Sequence, residues 1–155
     1  MKIEFWQIGK TERGWVDDGC QIYAARLKRY AAFEQVVLPD SREKGEPDFL
    51  KKKEGESVLK KLSDGDLLVL LDEKGAEFGS VELADWLEKR LASGKKRLVF
   101  LVGGAFGFSA EIYARADFQV SLSRLTFPHQ LVRVLFLEQL YRAFSILGNE
   151  PYHNQ

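Results

Sequence analysis

The chain has 155 residues, 45% of them hydrophobic, including 11 Phe, 5 Tyr and 3 Trp. That is enough apolar side chain for one domain with a real core, and it excludes a disordered tail or a low-complexity scaffold. Lys plus Arg and Asp plus Glu stand at 23 each, a net charge of zero that argues against gross electrostatic adhesion to nucleic acid. The single cysteine, Cys20, cannot close an internal disulfide, and the apolar runs 67–71 and 98–102 are each only five residues long, too short to span a bilayer. Glu4 interrupts the N-terminal stretch where a secretory signal would stay apolar. These features lead to the expectation of a soluble, cytoplasmic domain.

Strand-like and helix-like runs alternate from end to end. Residues 2–8 read as a first strand. Residues 15–30 read as a helix, with Trp15, Ile22, Tyr23, Leu27 and Tyr30 at near-helical spacing and Arg26, Lys28 and Arg29 outward. A short strand over 33–38 ends at Pro39-Asp40. A lysine-rich helix covers about 47–62. Its Lys51, Lys52, Lys53, Lys60 and Lys61, interleaved with glutamates, suit a solvated face or a phosphate-facing patch. Ser63-Asp64-Gly65-Asp66 turns into the buried-type strand 67–71. A helix over 80–93, a strand over 98–102, a short helix capped by Ser109 and a strand over 118–122 follow. Continuous apolar strands separated by helices predict a parallel α/β sheet covered on both faces. Ligands in such sheets bind beyond the carboxyl ends of the strands, which singles out the loops after Leu71, Val102 and Leu122.

The second of those loops is Gly103-Gly104-Ala105-Phe106-Gly107. Glycines at a strand-to-helix turn let backbone amides approach a ligand, although a purely structural tight turn has the same composition. It lacks G-x-G-x-x-G and follows the fourth strand, so a dinucleotide oxidoreductase is disfavoured; no Gly-Lys-Ser/Thr follows, which excludes a P-loop. The third loop, Ser121-Leu122-Ser123-Arg124-Leu125-Thr126-Phe127, leads into Pro128 as a helix-starting proline. Its hydroxyls, aliphatic groups and aromatic ring could clasp a flat apolar ring, or simply cap the helix.

The last predicted helix, 128–147, has 12 apolar residues in 20, too many for one buried face. It lies deep in the fold, packs on a second subunit, or both; a homodimer is expected. His129, Arg133, Glu138 and Arg142 stand out on this apolar ground. Glu138 and Arg142 have the spacing of a plain helix ion pair, while buried charge of this kind also suits a polyanion site. Beyond Gly148, where chain ends commonly fray, Tyr152 could stack on a base and His153 could titrate near neutrality.

Taken together, four pieces match a known pattern in order and spacing: Gly103-Gly104-Ala105-Phe106-Gly107, Pro128-His129 through Arg133-Val134, Glu138-Gln139-Leu140-Tyr141-Arg142-Ala143, and Pro151-Tyr152-His153. The chain closely resembles, over essentially its whole length, the RlmH family of bacterial ribosomal large-subunit methyltransferases within the SPOUT superfamily. The resemblance implies a single α/β domain over 1–155 with a C-terminal trefoil knot. Knot and cofactor site would lie in about 67–147, and a substrate-binding tail in 148–155. It implies an obligate homodimer that takes S-adenosylmethionine as donor and methylates N3 of a pseudouridine in 23S rRNA on the assembled ribosome, with no metal. Cofactor contacts carry over to Leu71, Gly103, Gly104, Leu122, Ser123, Arg124, Leu125, Thr126 and Phe127, and substrate contacts to His129, Arg133, Tyr152 and His153. Asn154 stands where the family commonly has a basic residue, removing one positive charge from the tail.

Methyl transfer is an in-line displacement, so positioning supplies much of the catalysis. The target imide nitrogen must lose its proton. His153 suits a general base, while Arg142 or Arg133 suits stabilisation of the imide anion, and the catalytic candidates are His153, Arg142 and Tyr152. The reading from another class is a non-catalytic nucleotide-binding or ribosome-associated module.

Overall fold

A computed structural model of the chain describes residues 1–40 and 45–154, so Gln155 of the tail lies outside the described residues. The elements run β1 (Lys2–Ile8), α1 (Trp15–Leu27), β2 (Ala32–Leu38), α2 (Pro47–Lys61), β3 (Asp66–Glu77), α3 (Ser80–Leu91), β4 (Arg97–Val102), α4 (Ala110–Arg115), β5 (Phe118–Ser121) and α5 (Leu131–Leu147). The strands form one sheet in the order β2-β1-β4-β3-β5, every neighbouring pair parallel.

The central strands β1 and β4 and residues 66–71 of β3 are buried on both faces, as the unbroken apolar runs of β3 and β4 predict, and the two-residue period sorts their side chains. Ile3, Phe5, Val69, Leu71, Leu98, Phe100 and Val102 join a core with Cys20, Ala24 and Leu27 of α1, Leu83, Ala84 and Leu87 of α3, and Phe136, Leu137 and Leu140 of α5. Trp6, Ile8, Leu68, Leu70, Val99 and Leu101 point the other way, onto Val58 of α2 and Ile112 of α4. Phe136 sits at the centre of the larger core, its ring centroid 5.0 Å from Phe5 and 4.8 Å from Phe100. No described helix is long and apolar enough to cross a membrane.

Three expectations need correction. The face of α1 turned inward is Cys20, Ala24 and Leu27, whereas Trp15 and Ile22 are 72% and 53% exposed. Small residues let α1 lie close to its neighbours: a β-carbon on Gly19 would meet Val134 of α5 at 2.8 Å. Next, β3 does not stop at Leu71 but runs to Glu77, with an irregularity against β5 between Leu71 and Ala76. Gly75 permits this, because a β-carbon there would fall 2.6–2.8 Å from the backbone of Gln119 and Val120. Finally, α5 starts at Leu131, and Pro128 opens only a turn whose carbonyl accepts from the Val132 amide at 3.2 Å.

Candidate active site

Where β3 runs on past its pairing with β4 at Leu71, and at the carboxyl ends of β4 and β5, the chain leaves a cavity of about 360 Å³. Leu71, Asp72, Glu73 and Lys74 line it from β3, residues 102–108 from β4 and the glycine loop, Leu122, Ser123, Leu125 and Phe127 from the loop after β5, and His129 and Val132 from the entry to α5. Of the nine expected cofactor positions, Leu71, Gly103, Gly104, Leu122, Ser123, Leu125 and Phe127 thus surround one space. Arg124 and Thr126 do not line it. Arg124 pairs with Glu77 at 3.2 Å, and Thr126 donates to Glu73 Oε2 at 3.0 Å, tying the loop after β5 to β3.

The glycine loop closes on itself: the Gly107 amide donates to the Gly104 carbonyl at 3.2 Å, and Gly107 has φ +85°. Behind it, Ser109 caps α4 by accepting from the Ile112 amide at 3.4 Å. At the exposed edge of the cavity, Asp72 accepts from the Lys74 amide at 3.0 Å and from the Tyr113 hydroxyl. Burial and the Asp72 carboxylate push the Tyr113 phenol up to about 12, so it remains a donor.

A second cluster forms where the chain end folds back on α5 and α1. Glu138 Oε1 accepts from Arg142 Nε at 3.1 Å, from Arg142 Nη2 at 2.6 Å and from the Tyr152 hydroxyl at 3.0 Å. Arg142 Nη1 lies 3.0 Å from His153 Nδ1, and the Arg142 guanidinium stacks 4.8 Å from the centre of the Tyr152 ring. The Tyr152 ring packs edge-on against Tyr141 with centroids 4.6 Å apart, and the Tyr30 hydroxyl holds Glu150 at 2.7 Å. The Glu138 bond holds Arg142 as a cation, while burial, then Tyr23 and Glu138, push the Tyr152 phenol above its ordinary range. Tyr152 is therefore a donor and stacking surface rather than a base.

The expected substrate residues divide. Tyr152 and His153 sit with Arg142; His129 lies instead at the cavity. Arg133 is 0% exposed and donates to the carbonyls of Ile8 at 2.8 Å and Gly9 at 3.0 Å, and to Thr11 Oγ1 at 3.0 Å. It fastens α5 to the end of β1 and, so enclosed, cannot reach a substrate; that expectation is corrected. Cavity and tail cluster share no residue. Glu138 and Arg142 lie six and ten residues beyond Val132, roughly 9 and 15 Å along the helix axis.

Sequence reasoning passed over Asp72, Glu73 and Tyr113 at the cavity, and Tyr23 and Glu138 as partners of the tail. A signal existed for the first two, as charged residues directly at the end of an apolar strand. Among the described residues no group of three His, Cys, Asp or Glu side chains is placed to hold a metal ion.

The family model described as "Predicted SPOUT methyltransferase" matches residues 1–153. The ribosomal RNA large subunit methyltransferase H of Parabacteroides distasonis is 48% identical to this chain, and the protein of the same name from Christiangramia forsetii 46%, each alignment covering 100% of both chains. The counterpart in Cytophaga hutchinsonii is 44% identical over 99% of this chain and all of its own. Among solved structures, a probable methylase family protein from Haemophilus influenzae superposes with a TM-score of 0.51 at 14% identity. The match covers 95% of this chain but 66% of that one, just under two thirds of its length, and bears on the fold alone.

Proposed function

Because the chain belongs to the SPOUT methyltransferase family, we propose that it transfers a methyl group from S-adenosylmethionine to N3 of a pseudouridine in 23S rRNA, acting as a homodimer on the assembled ribosome in the cytoplasm. The observation that carries this reading is the cavity bounded by residues 71–74 of β3 and by the loops that follow β4 and β5, beyond the paired core of the sheet.

The cavity suits the donor. At about 360 Å³ it falls in the range of small-molecule sites, roughly 300–1,000 Å³. Phe106, Phe108, Leu125 and Phe127 offer apolar surface for a flat ring, and Asp72 and Glu73 offer negative charge toward a cationic ligand. Leu71, Gly103, Gly104 and the 122–127 loop would hold the donor, which supplies an electrophilic methyl group on a sulfonium when bound.

The tail would meet the nucleobase. Tyr152 gives a ring to stack on, and Arg142 gives a fixed cation for a phosphate or an imide anion. His153 stands beside Arg142 as proton acceptor or as a further polar contact. Near-zero net charge suits docking into a shaped ribosomal site rather than gripping bare RNA. The trefoil knot in about 67–147 and the division into catalytic body and tail 148–155 belong to the same proposal.

Two features support the dimer. Leu131, Val134 and Leu135 of α5 are only half-buried, and Trp15 and Ile22 of the adjoining α1 are exposed. The separation of cavity and tail along α5 also leaves room for one subunit's tail to serve the other's cavity. Isothermal titration tests the reading: S-adenosylmethionine should bind saturably, and no binding would leave the non-catalytic nucleotide-binding module instead.

A further inference from the structure

We infer that Arg142 is a positioning residue that fixes the tautomer of His153, so that His153 presents Nε2–H to the substrate as a hydrogen-bond donor rather than taking the imide proton. The inference rests on the methyltransferase reading above for its chemistry, but on the tail's own geometry for its structure.

An arginine side chain has five N–H donors and no lone pair. With Glu138 holding Arg142 from the other side through Nε and Nη2, the guanidinium stays charged and Nη1 can only donate. His153 Nδ1, 3.0 Å away, must therefore accept with its lone pair. In a neutral imidazole the hydrogen then sits on Nε2. That atom is enclosed and has no hydrogen-bond partner among the described residues. A buried donor without an acceptor is costly, so an acceptor that reaches it gains more than it would at a hydrated surface.

The lone pair a general base needs is thus spent on Arg142, and the free edge of the ring offers a proton rather than a vacancy for one. The imide edge of a uracil-type base supplies the matching acceptors, since N3 is flanked by two carbonyl oxygens. When N3 loses its proton, to water or hydroxide, negative charge spreads onto those oxygens. The N3 electron pair then takes the methyl group as the carbon–sulfur bond breaks and its electrons pass to sulfur. A donor aimed at a flanking oxygen stabilises that anion without itself changing protonation state. The incoming ring must displace whatever covers Nε2, while the Arg142 bond at Nδ1, on the other edge of the imidazole, persists.

The direct test is a long-range ¹H–¹⁵N spectrum of the imidazoles in the full chain at about pH 8, where a neutral ring reports its tautomer. Only two histidines are present, and His129→Gln assigns the pair. The expected result is an unprotonated Nδ1 and a protonated Nε2 on His153, with the preference lost in Arg142→Gln. A proton on Nδ1 in the wild type, or a tautomer indifferent to Arg142, overturns the inference whatever the enzyme does. On ribosomes, His153→Gln keeps an N–H donor and should stay within about tenfold of wild type, while His153→Ala falls by about 100-fold or more, the usual loss for one donor to a developing anion. Equal loss in both variants would restore His153 as the base. Absence of methyl transfer by the wild type would overturn the proposed function and leave the tautomer result standing.

Discussion

Gly104 lies against the carboxyl group of Glu54: a β-carbon built on the glycine would fall 2.9 Å from Oε2 and 3.0 Å from Oε1. A side chain at Gly104 would therefore press on the far end of Glu54, on the α2 side of the loop, and would make that carboxyl group move. Gly104→Val should weaken S-adenosylmethionine binding at least about tenfold, or ~1.4 kcal/mol, in a folded protein. The damage arises by pushing the loop rather than by filling the cavity. Shortening the obstacle in the double variant Gly104→Ala/Glu54→Ala should recover affinity relative to Gly104→Ala alone. Titration calorimetry reads both; no recovery would show that the side chain blocks the ligand directly.

Burial, with Asp40 adding to it, pushes the Glu54 carboxyl above its ordinary range. A raised acid binds its proton more tightly in the folded state, so it favours folding as pH falls and opposes it once ionised. Glu54→Gln should therefore be neutral or stabilising in urea melts at pH 7, with the gain disappearing near pH 4.

At the opposite end of the sheet the sign reverses. Burial pushes Glu4 and Asp66 up, but hydrogen bonds from Trp6 and Lys2 to Glu4, and from Arg97 to Asp66, outweigh it and hold both carboxyls low. Their contribution is complete above their ordinary values of 4.5 and 3.8 and is lost as pH falls through the lowered ones. Arg97→Met strips both acids of a partner and should cost about 3 kcal/mol at pH 7, the low end for breaking a buried pair. The loss should shrink in melts at about pH 3. A pH-independent loss would contradict the assignment.

Removing Tyr152 through Gln155 deletes the Tyr152 bond to Glu138 and its packing on Tyr141, but no residue of the two cores. Thermal unfolding should show a cost of about 1–2 kcal/mol. Donor affinity should be unchanged, and methylation of ribosomes should be abolished. Full activity without these residues would end the role given to the tail.

Association should be visible by sedimentation at micromolar concentration, with the wild type dimeric. Phe136 and Leu140 are 2% exposed inside their own subunit, so a charge at either would unfold the chain rather than report on a dimer. Leu135→Asp, on the half-buried side of α5, is the appropriate probe. It should shift the population toward monomer while the circular dichroism stays native.

The sheet was legible because strands covered on both faces have no choice but to be apolar throughout, and the runs 67–71 and 98–102 could hardly be anything else. Their carboxyl ends then located the cavity. The extension of β3 through Asp72, Glu73, Lys74 and Gly75 was not legible, since charged residues and glycine are poor strand formers and only the approach of β5 keeps them extended. Arg133 misled for a similar reason: its partners are the carbonyls of Ile8 and Gly9, more than 120 residues away in sequence, where spacing gives no hint of a buried cation. The same distance hid the anchoring of Tyr152 by Tyr23, whose hydroxyls lie 3.4 Å apart.

The central claim is tested most directly by mass spectrometry of 23S rRNA from a strain lacking this chain. The account predicts one pseudouridine lighter by a single methyl group than in the parent, with the mass restored when the purified chain and S-adenosylmethionine are added to ribosomes from the deletion strain. Identical modification of the rRNA in the two strains would contradict it.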